Sequence, residues 1–276
     1  MELIGFRFFQ MALISALLAG IACGIAGVWI VTMRISFIGV AISHAAFAGA
    51  LLGLILGKSP VFFAFLFSFL ACAVLGPLSD KGQIHPDTSI GIIFSSTLGL
   101  AFLFMGILPE AKSQALNLLW GSILTTTLKD ITLLIITLIL ITIFTILFFK
   151  EIQSVIFNRD MAKASGISAT IFFYLILFLT GMTISATLKS VGGLLVFALV
   201  VNPAASAYQI TYCLKKMYIL SSLFGVLSGW CGLFFSAQFN LPAGASIVIV
   251  STFIFIFSVL FSPKRVRDVE EQKGLF

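Results

Sequence analysis

The sequence predicts an all-α membrane protein, a polytopic bundle of eight or nine spanning helices in one domain over residues 1–276. Its residues are 60% hydrophobic and only 9% charged, whereas a soluble domain carries about 25% charged residues. So few charges cannot cover the surface of a soluble protein of this length. Composition therefore excludes soluble enzymes, nucleic-acid-binding domains and disordered chains, and the apolar segments are long enough to cross a bilayer.

The apolar segments follow one another with short polar connections. They cover, in order, about 10–32, 39–57, 60–78, 88–108, 131–149, 170–188, 191–210, 218–237 and 243–262. Lys-Ser pairs at 58–59 and 189–190 predict two tight helical hairpins. The seventh segment contains Asn202-Pro203, and proline interrupts helices. A broken or partly re-entrant seventh helix, with eight full spans, is therefore the alternative.

Basic residues predict the orientation, since cytoplasmic connections carry an excess of Lys and Arg. With the N-terminus outside and the C-terminus in the cytoplasm, the cytoplasmic bases are Arg34, Lys81, Lys150, Arg159, Lys163, Lys215, Lys216, Lys264, Arg265, Arg267 and Lys273. The external bases are only Arg7, Lys58, Lys112, Lys129 and Lys189. The net charge of +6 is thus explained by the bases that set membrane topology, and no nucleic-acid partner is expected.

Acidic residues all fall in the predicted connections or termini. Carriers driven by protons or sodium usually hold a carboxylate near the membrane midplane, so the pattern argues against them. His44 is the one imidazole inside a predicted span. It is either a metal or substrate contact in a pathway or a buried histidine bonded to a neighbouring helix. A single weak contact suits conduction, because a deep site would trap the ion.

Glycines recur every four residues on two predicted helices. Gly20 and Gly24 lie on the first, and Gly49, Gly53 and Gly57 lie on the second. Small residues at this spacing let helix backbones approach closely. We expect them to pack helices within one subunit rather than to form a dimerisation face.

The connection over about 150–169 is the longest one predicted on the cytoplasmic side. Asn158 is placed to cap a short helix with Asp160 in its first turn, and Gly166 is placed to end it. Such a helix either docks in a groove of a partner protein or lies at the lipid interface.

Four blocks of the sequence stand in an order that is typical of one protein family. Gly39, Ser43, His44 and Ala45 match a GDALSHA-like block. The other three are a middle loop, LNLLWGSILTTTLKD, a cytoplasmic loop, NRDMAKASGIS, and a late helical block, SVGGLLVFALVVNPAASAYQIT. Together they resemble the permease subunits of metal-ion ABC importers, which take up zinc, manganese or iron, and in that family the cytoplasmic loop is the coupling loop. The resemblance covers nearly the whole chain.

The resemblance implies a prokaryotic plasma-membrane permease that is no enzyme itself and holds no permanent cofactor. Two copies, expected as a homodimer, would form the path for a divalent metal. Two ATP-binding subunits would use ATP, and an extracellular or periplasmic protein would deliver the metal. The residues expected to contact the ATPase are Asn158, Arg159, Asp160, Met161, Lys163, Ala164 and Gly166.

Position 40 departs from the family pattern, which has Asp four residues before the His, whereas this chain has Val40. Residues at i and i+4 share a helix face, so a carboxylate–imidazole pair is lost. Either His44 works with polar groups such as Ser43 or Asn202, or the ion passes without that site. A permease for a metal chelate or other small solute is therefore the alternative, followed by a stand-alone channel or carrier.

Overall fold

The protein is described by a computed structural model that covers residues 7–81, 86–107, 126–192 and 195–264. Its helices are α1 (Arg7–Thr32), α2 (Ile38–Ile55), α3 (Pro60–Lys81), α4 (Pro86–Ile107), α5 (Leu128–Leu147), α6 (Phe149–Phe157), α7 (Arg159–Ala164), α8 (Ala169–Val191), α9 (Val196–Ile210), α10 (Leu214–Phe239) and α11 (Ala243–Leu260). These residues contain no strand, which confirms the all-α prediction. Most of the block at 116–130 and the bases after Lys264 lie outside the described residues.

Eight of the described helices are long and apolar enough to cross a membrane. They are all those named except α6, α7 and α9. The helix α9 has 15 residues, so it rises only about 22 Å, less than the roughly 30 Å of a hydrocarbon core. Pro203 lies inside it. The eight-span form of the prediction is therefore the one confirmed, and the multi-pass membrane architecture stands.

The first helix forms the centre of the bundle, because α5, α8, α9 and α10 all pack against it. Gly20 and Gly24 lie where α1 meets α10. A Cβ atom on Gly20 would overlap the backbone of Gly225, and one on Gly24 would overlap the backbone at Ser222. The Ser221 hydroxyl donates to the Gly24 carbonyl at 2.8 Å. These contacts need two backbones in close approach, which only residues without a large side chain permit.

The second helix packs between α3, α4 and α8. A Cβ on Gly49 would overlap the carbonyl of Phe63, and one on Gly53 would meet Pro60. Gly57 differs, since nothing lies within 4 Å of its added Cβ and its φ is 63°. Its place is the turn between α2 and α3, where a left-handed backbone favours glycine.

The eighth helix extends further than the sequence predicts. The expected turn at 189–190 is wrong, because α8 continues to Val191. Asp130 was assigned to a connection but lies in the first turn of α5. The Lys189 ammonium donates to the Asp130 carboxylate at 2.7 Å, which joins the two helices, and α8 ends just before Gly192, whose φ is 98°.

The outer helices expose large apolar side chains. Phe102 on α4 is 64% exposed, Ile146 on α5 is 71% exposed, and Ile219 on α10 is 70% exposed. Such surfaces fit contact with lipid, since they would be unfavourable in water.

Candidate functional site

His44 lies in the middle of α2 and is buried. Its ring contacts Phe94 of α4 edge to face, with ring centroids 5.0 Å apart. Its Nδ1 atom is buried and has no hydrogen-bond partner in the part of the chain that the structure describes. A buried polar atom without a partner costs about 1–3 kcal/mol. The expected alternative, a histidine bonded to a neighbouring helix through this nitrogen, is therefore not what the structure shows.

The two polar residues proposed to work with His44 bond elsewhere. The Ser43 hydroxyl donates to the Val40 carbonyl of its own helix at 2.9 Å. The Asn202 amide on α9 donates to Ser251 at 3.0 Å and to Thr252 at 3.2 Å, both on α11. The structure thus joins neither side chain to the imidazole by a hydrogen bond.

Val40 is only partly buried and lies one helical turn before His44. A side chain at this position therefore shares a helix face with the imidazole. Among the described residues, no group of three or more His, Cys, Asp or Glu could hold a metal ion. A single imidazole without such a cluster suits a transient contact with a passing cation better than a stable metal-binding site.

The segment after α5 consists of two short helices. α6 begins at Phe149, directly after α5, and buries Ile152 and Val155 against the bundle. α7 is anchored by Ala162, which packs with Val155 and Ala169. The sequence predicted the second helix but treated the first as plain connection. The i, i+3 spacing of Ile152 and Val155 is the signal that would have found α6.

Local signals at both ends fix α7. The backbone N–H groups of Asp160 and Met161 donate to the Asn158 side-chain oxygen at 2.9 and 3.1 Å. At the other end, Gly166 has a φ of 82°, and its N–H donates to the Lys163 carbonyl at 3.0 Å. An asparagine N-cap and a left-handed glycine are ordinary helix boundaries.

The predicted contact residues of this segment point in different directions. The Arg159 guanidinium lies over the Phe173 ring of α8, 4.0 Å from its centroid. Asp160 and Lys163 instead face outward, with side chains 92% and 50% exposed, and form an ion pair at 3.6 Å. Met161 is 60% exposed, and Ala164 is exposed too. Arg159 therefore holds the segment to the bundle, while the others form its outer surface.

Phe157 is a surface residue that the sequence reasoning missed. It is 82% exposed at the end of α6, next to α7. A phenylalanine exposed to this degree beside Met161 adds apolar area to the outer surface. Beneath the segment lies a cavity of about 370 Å³, bordered by Phe157, Arg159 and Phe173.

Comparison with known proteins places this arrangement in a family. The model of the ABC 3 transport family matches residues 5–262. The chain belongs to this family. The match includes α2 with His44 and the α6–α7 segment, so both parts of the candidate site lie within the family's common region.

Relatives of similar length align with nearly the whole chain. The manganese transport system membrane protein MntC of Listeria monocytogenes is 36% identical over 264 residues, covering 95% of this chain and 94% of the relative. The manganese import system permease protein ScaB of Streptococcus gordonii is 34% identical, covering 94% and 93%.

Solved structures have the same fold. A chain of PsaBC from Streptococcus pneumoniae, solved in complex with Fab, matches with a TM-score of 0.85 and 34% identity, covering 95% of both chains. An ABC transporter in an inward-facing conformation matches with a TM-score of 0.77 and 16% identity, which shows the fold alone.

Proposed function

We propose that this chain is the membrane-spanning permease subunit of an ATP-driven importer that carries manganese into the cytoplasm. The observation that carries this proposal is the likeness to permeases named for manganese along more than nine-tenths of both chains. Zinc and iron are the competing cargoes. The metal is a substrate here and not a resident cofactor.

The environment of His44 supports a metal path that passes along α2. A neutral imidazole binds transition metals through a ring nitrogen, and the buried Nδ1 of His44 has no other partner among the described residues. This chain has Val40 where the family pattern has Asp, and it therefore lacks a carboxylate that manganese, as an oxygen-preferring cation, would favour. Ser43 and Asn202 remain proposed pathway residues, although contact with the metal would require both to give up their present hydrogen bonds.

The α6–α7 segment supports coupling to a separate ATPase. Asp160, Met161, Lys163 and Ala164 would contact the ATP-binding subunit, while Asn158, Arg159 and Gly166 would hold α7 in shape. An exposed, firmly anchored helix can transmit motion without deforming. The segment would lie on the cytoplasmic side, with the N-terminus outside and the C-terminus inside, as the basic residues indicate.

The assembly that follows has two permease chains, two ATP-binding subunits and an external metal-binding protein in a prokaryotic plasma membrane. This single-domain chain would supply no ATPase site. The helix-packing glycines on α1 and α2 would keep each subunit rigid, so alternating access would come from motion between subunits.

The test is a scan of metals with the reconstituted complex of permease, ATPase and binding protein. Proteoliposomes receive manganese, zinc or ferrous iron, and ATP hydrolysis and metal uptake are measured together. We expect manganese to stimulate both most strongly. Stimulation by a chelated metal but by no free cation would favour the second candidate, a chelate permease, which the missing carboxylate at Val40 favours.

A further inference from the structure

A groove lies on the outer surface of the bundle, and α1 forms its floor. The helices α5 and α10 both pack on α1, and the groove runs between them. Ile25 of α1 forms the floor, Thr142 and Ile146 of α5 one wall, and Ile219 of α10 the other. Its volume is about 640 Å³, within the roughly 300–1,000 Å³ of small-molecule sites.

The groove faces the lipid side of the protein. Its walls belong to two of the eight membrane-spanning helices. Ile146 and Ile219 on opposite walls are each about 70% exposed. From Lys215 to Ser222, two residues that border the groove, α10 rises about 10 Å, so the apolar channel extends about two helical turns into the span.

One end of the groove carries positive charge. The Lys215 ammonium lies 5.4 Å from the centroid of the Phe149 ring, which closes this end where α6 begins. Lys216 follows it and is also exposed. Within the described residues, neither ammonium forms an ion pair with a carboxylate, although Glu151 lies on the same short helix as Phe149.

We propose that this groove binds an anionic phospholipid, with an acyl chain along Ile25 and Ile219 and the phosphate at Lys215 and Lys216. An apolar channel with exposed lysines at the end of a spanning helix matches the two parts of such a lipid. Basic pockets between membrane helices bind anionic headgroups, and each lysine near the headgroup contributes to that affinity. The inference does not depend on which substrate is carried.

Native mass spectrometry of the purified permease in detergent tests the site, with phosphatidylglycerol and phosphatidylcholine of equal chain length as probes. We expect the wild-type protein to bind phosphatidylglycerol about tenfold more tightly, and the Lys215→Gln/Lys216→Gln variant to lose this preference. Lys58→Gln/Lys129→Gln, which removes the same two positive charges at exposed sites outside the groove, is the matched control and keeps the preference.

A second variant tests the apolar part separately. Thr142→Phe fills the groove without changing charge, and we expect it to bind phosphatidylglycerol about tenfold more weakly with an unchanged thermal midpoint. Equal binding of both lipids by the wild-type protein, or full retention of the preference in the lysine variant, would overturn the proposal. Loss of the dimer in Thr142→Phe would assign the groove to a second permease copy and overturn it as well.

Discussion

The helices α2 and α7 differ in the burial of their polar side chains. α2 buries His44 with one nitrogen unpartnered among the described residues, whereas α7 presents Asp160 and Lys163 to the exterior. α2 is packed on several sides, while α7 touches the bundle through Ala162 and Arg159. We propose that the difference separates two tasks, with the buried imidazole contacting a passing cation and the exposed pair contacting a protein that docks on the segment.

The largest expected effect tests the rigid packing of α2. Gly49→Ala should lower the thermal midpoint of the purified protein by several degrees, because its Cβ would overlap the Phe63 carbonyl and overpacking costs about 1–3 kcal/mol. Gly99→Ala is the matched control, since nothing lies within 4 Å of its Cβ. Equal midpoints for both variants would show that α2 has room to adjust.

The next effect concerns the buried imidazole. His44→Ala should reduce metal uptake about tenfold, the effect of losing a contact worth about 1.4 kcal/mol, and leave assembly with the ATPase intact. Thr137→Ala on α5 is the control, because its hydroxyl is also buried and donates to the Leu133 carbonyl of its own helix. Wild-type uptake by His44→Ala would make His44 a packing residue and remove the contrast with α7.

The outer surface of α7 is tested by Asp160→Ala/Lys163→Ala. Uptake per ATP hydrolysed should fall about fivefold, as expected for an interface contact worth about 1 kcal/mol, while metal binding at His44 is unaffected. Gln153→Ala, an exposed change on α6, serves as control. Unchanged coupling in the double variant would count against docking of the ATPase on α7.

The smallest effect is expected for the ion pair that joins α5 and α8. Asp130→Asn removes the ion pair with Lys189, a side chain 38% exposed, and partly exposed pairs contribute only about 0–1 kcal/mol. A change in thermal midpoint of at most a few degrees should result, with uptake unchanged. Glu151→Gln on α6 removes the same negative charge away from this pair and controls for charge. A large loss of uptake in Asp130→Asn would give the pair a role in transport.

Local signals in the sequence predicted what local physics decides. Asn158 and Gly166 fixed the ends of α7, because a cap and a left-handed glycine act within a few residues of their own position. The apolar segments likewise predicted eight or nine spans, and eight helices are long and apolar enough to cross a membrane among the described residues. These features need no knowledge of the rest of the fold.

Features set by distant partners were beyond the sequence. Lys189 on α8 pairs with Asp130, 59 residues away along the chain, a partner that no local pattern reveals. Asn202 is held by α11, whose position relative to α9 no spacing rule reveals. The outward exposure of Phe157 follows from how α6 sits on the bundle, and no signal in the sequence indicates it.

The most direct test of the account is ATP-dependent manganese accumulation by proteoliposomes that contain this permease with its ATPase and binding protein. We predict accumulation that requires ATP hydrolysis and stops when a hydrolysis-deficient ATPase replaces the active one. Manganese entry without ATP would contradict the account in favour of a channel. ATP hydrolysis with no entry of manganese, zinc or iron would contradict the assignment of a metal cargo.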